Sequence, residues 1–253
     1  MAAQRARTPP QVKRSPPSRG PGPGVQNLLL AALPVDEYER LAQRLELIPL
    51  KLKQVVHHPG DPVGHVYFPG GGFLSVLTVL EDGAMVEVAT IGREGMTGVS
   101  AALDGNGPRS IVMVQAAMAT CHRLAVDDFR REMNQHGAFF SLVTRYSQAF
   151  IGMIMQSTAC NAVHSVEQRL ARWLLMAHDR VGKDEFPLTQ EFVAMMLGAA
   201  RPTVSVVAGT LQNAGLIKYR RGNVTIVDRE ELEAASCECY RAAADLLRGV
   251  SIR

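Results

Sequence analysis

Phe186-Pro187-Leu188-Thr189-Gln190-Glu191-Phe192-Val193-Ala194-Met195-Met196-Leu197-Gly198-Ala199-Ala200-Arg201-Pro202-Thr203-Val204-Ser205 is the stretch on which the architecture of this chain turns. Thr189 is a good N-cap, and the acid that follows suits the positive end of a helix dipole, so a helix starts here. Phe192, Val193, Met196 and Leu197 supply its buried face. Gly198-Ala199-Ala200 then offers a tight turn with one residue free to take positive φ. Arg201-Pro202-Thr203-Val204 opens a second helix with proline near its first turn, running to about Asn213. Two short helices joined by a glycine-containing turn form a helix-turn-helix. Its physical logic is insertion: the second helix is slim enough for the major groove, its first turn reaches base edges, and the first helix is braced across the phosphates.

Downstream, Leu216 to Tyr219 and Val224 to Val227 are strand-like runs around Arg220-Arg221-Gly222-Asn223. This predicts a β-hairpin wing whose cations neutralise backbone phosphates without reading sequence. The candidate DNA-binding residues are therefore Thr189, Arg201, Thr203 and Ser205 on the helices, with Lys218, Arg220 and Arg221 on the wing.

Upstream, Ser165-x-x-Gln168 reads as a capping box opening a helix through Arg180. Asn161 to His164 is a plausible hinge before it. Phe139, Val143, Tyr146, Phe150, Met153 and Ser157 recur in steps of four and three, the spacing of a helix packed along a partner of similar length. These six are the expected dimer interface; the alternative is a helix packed on its own barrel. Between Pro49 and Phe129 the texture is of short strands: Val55-Val56, His65 to Phe68, Phe73 to Leu80, Met85 to Ile91, Ser110 to Gln115 and Ala119 to Leu124. Pro59-Gly60-Asp61-Pro62 and Glu81-Asp82-Gly83 mark turns between them. Short strands at regular spacing suggest an all-β barrel or sandwich. Helical spacing from Gln26 to Leu47, broken at Pro34, predicts a two-helix preface.

The resulting organisation is α+β. A basic tail spans 1–24, a β-barrel sensor 25–135, a dimerisation helix and hinge 136–163, a winged helix-turn-helix 164–240 and a C-terminal tail 241–253. The tail carries Arg5, Arg7, Lys13, Arg14 and Arg19 and no acid, so the net charge of +3 says little about the remainder. With 47% hydrophobic and 20% charged residues the composition is that of a globular protein. No apolar run approaches a membrane span and no secretory signal is visible, which leads to an expected cytoplasmic location and no membrane partner. The four cysteines, Cys121, Cys160, Cys237 and Cys239, are expected to be reduced thiols. Cys237-Glu238-Cys239 is a redox or metal candidate, but two cysteines without further ligands nearby make a poor zinc site, so no metal is expected. No nucleophile elbow, phosphate-binding glycine loop or metal triad is present to suggest an enzyme.

The chain resembles Crp/Fnr-family transcription regulators over about Val25 to Tyr240. The resemblance rests on Leu188 to Glu191, Leu197 to Ser205, Leu211-Gln212-Asn213-Ala214-Gly215-Leu216-Ile217, and Ser165 to Leu174. It implies a double-stranded β-helix (jelly-roll) sensor like a cyclic-nucleotide-binding domain, a long dimer helix, a C-terminal winged helix, and double-stranded DNA, a second copy and RNA polymerase as partners. There are departures. Family members that answer to cyclic AMP follow the first arginine of the recognition helix with glutamate and place another arginine a turn later; here Pro202 and Val206 stand in that region, so the familiar operator is not implied. Their nucleotide pocket uses a glycine-glutamate step and an arginine-serine pair. The counterparts are Gly92-Arg93-Glu94-Gly95 and Arg109-Ser110, with Gly105 to Pro108 making a differently spaced loop. Glu94, Gly95, Arg109 and Ser110 are thus the candidate effector residues. A cyclic nucleotide is one candidate effector with a degenerate phosphate motif; haem would need an axial ligand from among His57, His58, His65, His122 and His164, and no cysteine cluster for an iron-sulfur centre is evident. Rival readings are a ligand-independent or thiol-redox regulator on the same fold, and a nucleotide-sensing adaptor that binds protein.

Overall fold

The computed structural model describes residues 25–102, 110–116 and 118–251; the basic tail 1–24 and the candidate Arg109 lie outside them. Strands β1 (Glu46–Leu50), β2 (Val55–His57), β3 (His65–Pro69), β4 (Phe73–Val79), β5 (Met85–Ile91), β6 (Ser110–Ala116) and β7 (Met118–Ala125) build the N-terminal domain. They form two antiparallel sheets, ordered β1-β7-β3 and β2-β6-β4-β5. Apolar residues from both inner faces, Leu50, Val66, Phe68, Leu74, Val112, Val114 and Leu124 among them, make one core. The β4–β5 hairpin turns at Asp82-Gly83 as its sequence predicts, with Asp82 Oδ1 accepting from the Ala84 amide at 2.9 Å.

Short helices α1 (Leu28–Ala31) and α2 (Val35–Ala42) precede the barrel, separated at Pro34. The preface ends earlier than its periodicity suggests: Glu46 and Leu47 belong to β1, which pairs with β7. Pro49 falls where the β1–β7 register shifts, at an irregularity that needs no amide donor from it.

Helices α3 (Val99–Ala102) and α4 (Val126–Met133) lead to the long α5 (Ala138–Val163). Its first two amides, which have no partner within the helix, donate to the Glu37 carboxylate at 2.8 Å each. The inward face of α5 closes the barrel core, Phe139 lying edge-on to Phe129 with ring centroids 5.6 Å apart. His164 ends α5, and Ser165 and Gln168 form the expected reciprocal capping box of α6 (Val166–Val181). Then come β8 (Glu185–Pro187), α7 (Gln190–Leu197), α8 (Arg201–Asn213), β9 (Ile217–Arg220), β10 (Asn223–Ile226), α9 (Arg229–Ala235) and α10 (Cys239–Ser251). The segment expected to be a C-terminal tail is instead largely helical: α10 lies along α5 and α6 and buries Tyr240, Ala243 and Val250.

The two domains share a core. Phe73 and Leu77 of β4 pack within the apolar cluster of the C-terminal domain, with Leu170, Trp173, Met196, Val204 and Leu232. Phe73 meets Trp173 edge-on at 5.9 Å.

Candidate nucleic-acid interface and its coupling to the barrel

Helices α7 and α8 cross at 108°. Thr189 caps α7 by accepting from the Phe192 amide at 3.3 Å, so its hydroxyl is engaged locally although the residue is exposed. Gly198 takes φ of +56° at the turn, a left-handed conformation in which a side chain costs energy. Val204, Ala208 and Leu211 hold α8 in the core. On its other side Arg201, Thr203 and Val206 are exposed, in the helix's first turns where base edges would be reached. Ser205 occupies a different place. It is half-buried and its hydroxyl bridges to Gln190 Oε1 at 2.6 Å, holding the two helices at their angle rather than facing outward. Val206, notable in the sequence only where a second arginine is absent, is not among the contact residues that the sequence predicts. It is 70% exposed on a helix whose other valines are at least partly buried, and an apolar side chain there suits a thymine methyl.

The wing forms as the sequence predicts, with β9 and β10 paired from Ile217↔Ile226 to Asn223↔Arg220 and β8 added along β10. Arg221 and Gly222 make its two-residue turn at φ of +50° and +81°, the backbone twist that matches a hairpin. Lys218, Arg220 and Arg221 are all exposed at this end.

Helix α7 packs on β5, and side chains lock the seam. Glu87 of β5 is buried at 9% exposure; its carboxylate accepts from Trp173 Nε1 at 2.8 Å and from the Ser75 hydroxyl. Burial pushes its pKa up to about 7 against the pull of these hydrogen bonds and of Arg172 and Arg180. Ser75 Oγ and Gln115 Nε2 also lie 3.7 and 3.8 Å from Met196 Sδ of α7.

A second tie involves the candidate effector residues. Glu94 is paired with Arg180 of α6, through Nε at 2.9 Å and a terminal nitrogen at 2.7 Å, both side chains being largely buried. Gly95 lies against Tyr146 of α5: a Cβ there would collide with the phenol oxygen and two ring carbons, so only glycine fits. Tyr146 donates to Met96 O at 3.1 Å, and Asn27 donates to Gly95 O at 2.9 Å. Ser110 stands apart, at the start of β6 opposite Thr78. Beside the Glu94–Arg180 pair is a cleft of about 330 Å³ that also takes in Arg93, Tyr240 and Arg248.

Of the six seam residues on α5, Phe139, Val143, Tyr146, Phe150 and Met153 are buried in this chain's own structure and Ser157 is half-buried. The alternative reading of that seam, a helix packed on its own barrel, describes them. The face left open carries Ile151, Met155 and Val163, at 50%, 68% and 74% exposure. The structure also brings Cys160 and His164 from the end of α5 to Cys237 and Cys239, a grouping that no local spacing announced.

A steeply crossed helix pair with an open first turn, followed by a cationic hairpin and fastened to a jelly-roll barrel, is the architecture of a DNA-binding regulator with a sensor domain. Residues 47–136 match the family model of the cyclic nucleotide-binding domain, and residues 168–235 match that of the Crp-like helix-turn-helix domain. The chain belongs to the Crp/Fnr family of transcription regulators. Among solved structures it is similar to a Crp/Fnr transcriptional regulator from Eubacterium rectale, at 18% identity and a TM-score of 0.64, covering 80% of this chain and 94% of that one. FixK2 from Bradyrhizobium japonicum gives 13% identity and a TM-score of 0.65, covering 76% and 98%. The c-di-GMP-responsive regulator CLP of Xanthomonas campestris gives 16% and 0.58, covering 76% and 98%. No curated protein matches the chain. Among the described residues no single helix is long and apolar enough to cross a membrane.

Proposed function

We propose that this regulator works in the cytoplasm as a non-enzymatic homodimer whose two α8 helices read a DNA site while the wings grip the flanking backbone. The observation that carries this reading is the open first half of α8, where Arg201, Thr203 and Val206 are exposed while the opposite face is spent in the core. Arg201 is assigned to a guanine edge or a phosphate, Thr203 and Val206 to base edges, and Lys218, Arg220 and Arg221 to phosphates. Ser205 and Thr189 support the interface by bracing and capping. The open apolar face of α5, Ile151, Met155 and Val163, supports pairing with a second copy there.

The effector is assigned to the loop around Glu94 and Gly95, because α1, α5 and α6 converge on it through Asn27, Tyr146 and Arg180. A ligand that shifts this loop would bias the placement of α6 and hence of the winged helix, by as much as its affinity differs between the two placements. RNA polymerase is the partner through which a bound dimer would act. Binding of the purified chain to duplex DNA, titrated with salt, tests the core of the proposal: affinity should fall steeply as salt rises. Absence of affinity for any duplex at low ionic strength would overturn it and leave a protein-binding adaptor as the better reading.

A further inference from the structure

The geometry points to a mononuclear metal site of the zinc class, made by the thiolates of Cys160, Cys237 and Cys239 and the Nδ1 of His164. These four ligand atoms all lie within 4.8 Å of one another. Cys160 Sγ is 3.5 Å from Cys237 Sγ, and Cys239 Sγ is 3.6 Å from His164 Nδ1. A tetrahedral zinc ion with bonds of about 2.3 Å to sulfur and about 2.0 Å to nitrogen has edges of about 3.5 to 3.8 Å. Two edges of the group are therefore already at bonding size, and the others need about an ångström of closure. An iron-sulfur cluster spreads its terminal thiolates across several irons and is too wide for this spacing.

The surroundings are those of a metal site. Nε2, the other ring nitrogen of His164, is 3.2 Å from the Glu238 carboxylate, the carboxylate–histidine arrangement that orients an imidazole toward a metal. Gln156 Nε2 approaches Cys239 Sγ at 3.0 Å, a donor placed for a thiolate. Two guanidiniums, Arg169 and Arg172, are buried at 8% and 7% exposure beside the group, and the Nε of each lacks a hydrogen-bond partner. Neither forms an ion pair with a carboxylate among the described residues, although Arg172 lies near enough to Glu87 to draw its pKa down. Buried cations without a counter-charge are costly. Three thiolates and one divalent ion sum to a single negative charge, which would face these arginines.

The position gives the site its consequence. Cys160 is in the last turn of α5 and His164 is its C-cap, whereas Cys237 joins α9 to α10 and Cys239 begins α10. One ion would pin the hinge between barrel and winged helix to the far end of the C-terminal domain. The thiols must lose their protons for the ion to bind, and the bound form of the group is then the ordered one.

The test uses the full chain and does not depend on DNA binding. Purified under reducing conditions, it should carry about one zinc per chain, and the metal-free protein should take up about one equivalent of cobalt(II). The cobalt form should show the intense visible bands of tetrahedral coordination and a thiolate charge-transfer band in the near ultraviolet. His164→Gln should keep the charge-transfer band and shift the visible ones, while Cys237→Ser should lower the charge-transfer intensity by about a third. If either variant fails to fold, the wild-type cobalt spectrum alone decides. A wild-type spectrum without the charge-transfer band at stoichiometric cobalt overturns the proposal. So does peptide mapping that finds a Cys160–Cys237 disulfide in place of bound metal in chain purified without an oxidant.

Discussion

Replacing Glu87 by glutamine removes an ionisable group from the seam between barrel and winged helix while keeping its shape. In the folded chain the carboxyl keeps its proton up to about pH 7, against 4.5 for a solvated glutamate. Between those values the folded state binds a proton that the unfolded state has released, so stability falls as pH rises through the window. Below it both states are protonated and nothing is lost; above it the buried carboxylate carries its full cost. A displacement of this size, at about 1.4 kcal/mol per pH unit, amounts to roughly 3 kcal/mol. The substituted amide would still accept from Trp173 through its oxygen, and its nitrogen would donate to Ser75, whose hydroxyl is free to turn toward Met196. The raw pH curve will hide the effect. His57, buried against Thr97, has its pKa lowered from 6.5 to about 4, and its contribution is lost as pH falls through that range, opposite in sign and similar in size. Taking wild type minus Glu87→Gln cancels it. Urea unfolding followed by fluorescence is the assay, because Trp173 is the one tryptophan in the chain and lies against Glu87. From about pH 4.5 to about pH 8 the wild type should lose roughly 3 kcal/mol relative to the variant. A difference that stays flat with pH would refute the assignment of a buried, proton-holding Glu87.

Other perturbations have equally definite outcomes. Arg201→Ala should cost about 1 to 3 kcal/mol in binding a specific site with little change at random duplex, whereas Arg221→Ala should weaken both and reduce the salt slope by about one; equal losses in a salt-titrated anisotropy assay would erase the division of roles. Met155→Glu should shift sedimentation toward the monomer without lowering the unfolding midpoint, since its side chain is 68% exposed; an unchanged dimer would place the pairing elsewhere. Gly95→Ala should destabilise the barrel by about 1 to 3 kcal/mol through collision with the Tyr146 ring, and Tyr146→Phe in the same background should leave most of that loss, because ring carbons as well as the oxygen lie in the way. Thermal unfolding reads both.

Local chemistry made much of this fold legible. Asp82-Gly83, the Ser165 capping box and the Arg221-Gly222 turn each specify their own backbone, and β5 falls on the residues, Met85 to Ile91, that its apolar run marks out. What escaped was settled by distant partners. Glu46 and Leu47 continue a helical rhythm and are strand only because β7 is there to pair with them. The seam from Phe139 to Met153 has the same four-and-three spacing whether the opposing surface is another helix or a barrel wall. Val206 stands out in the sequence only as a missing arginine, and its exposure is what adds it to the candidates. Cys160 and Cys237 stand 77 residues apart, so no spacing rule connects them.

The placement of Phe73 and Leu77 inside the cluster around Trp173 bears on how this protein can be taken apart. Regulators built of a receiver and a reader invite grafting, one module cut from one chain and joined to another. Here the cut would leave two vacant slots in the reader's interior and two bare aromatic and aliphatic side chains on the receiver. Heating should accordingly melt both halves in one calorimetric transition, and a chimera would need to carry strand β4 across with the helices it completes.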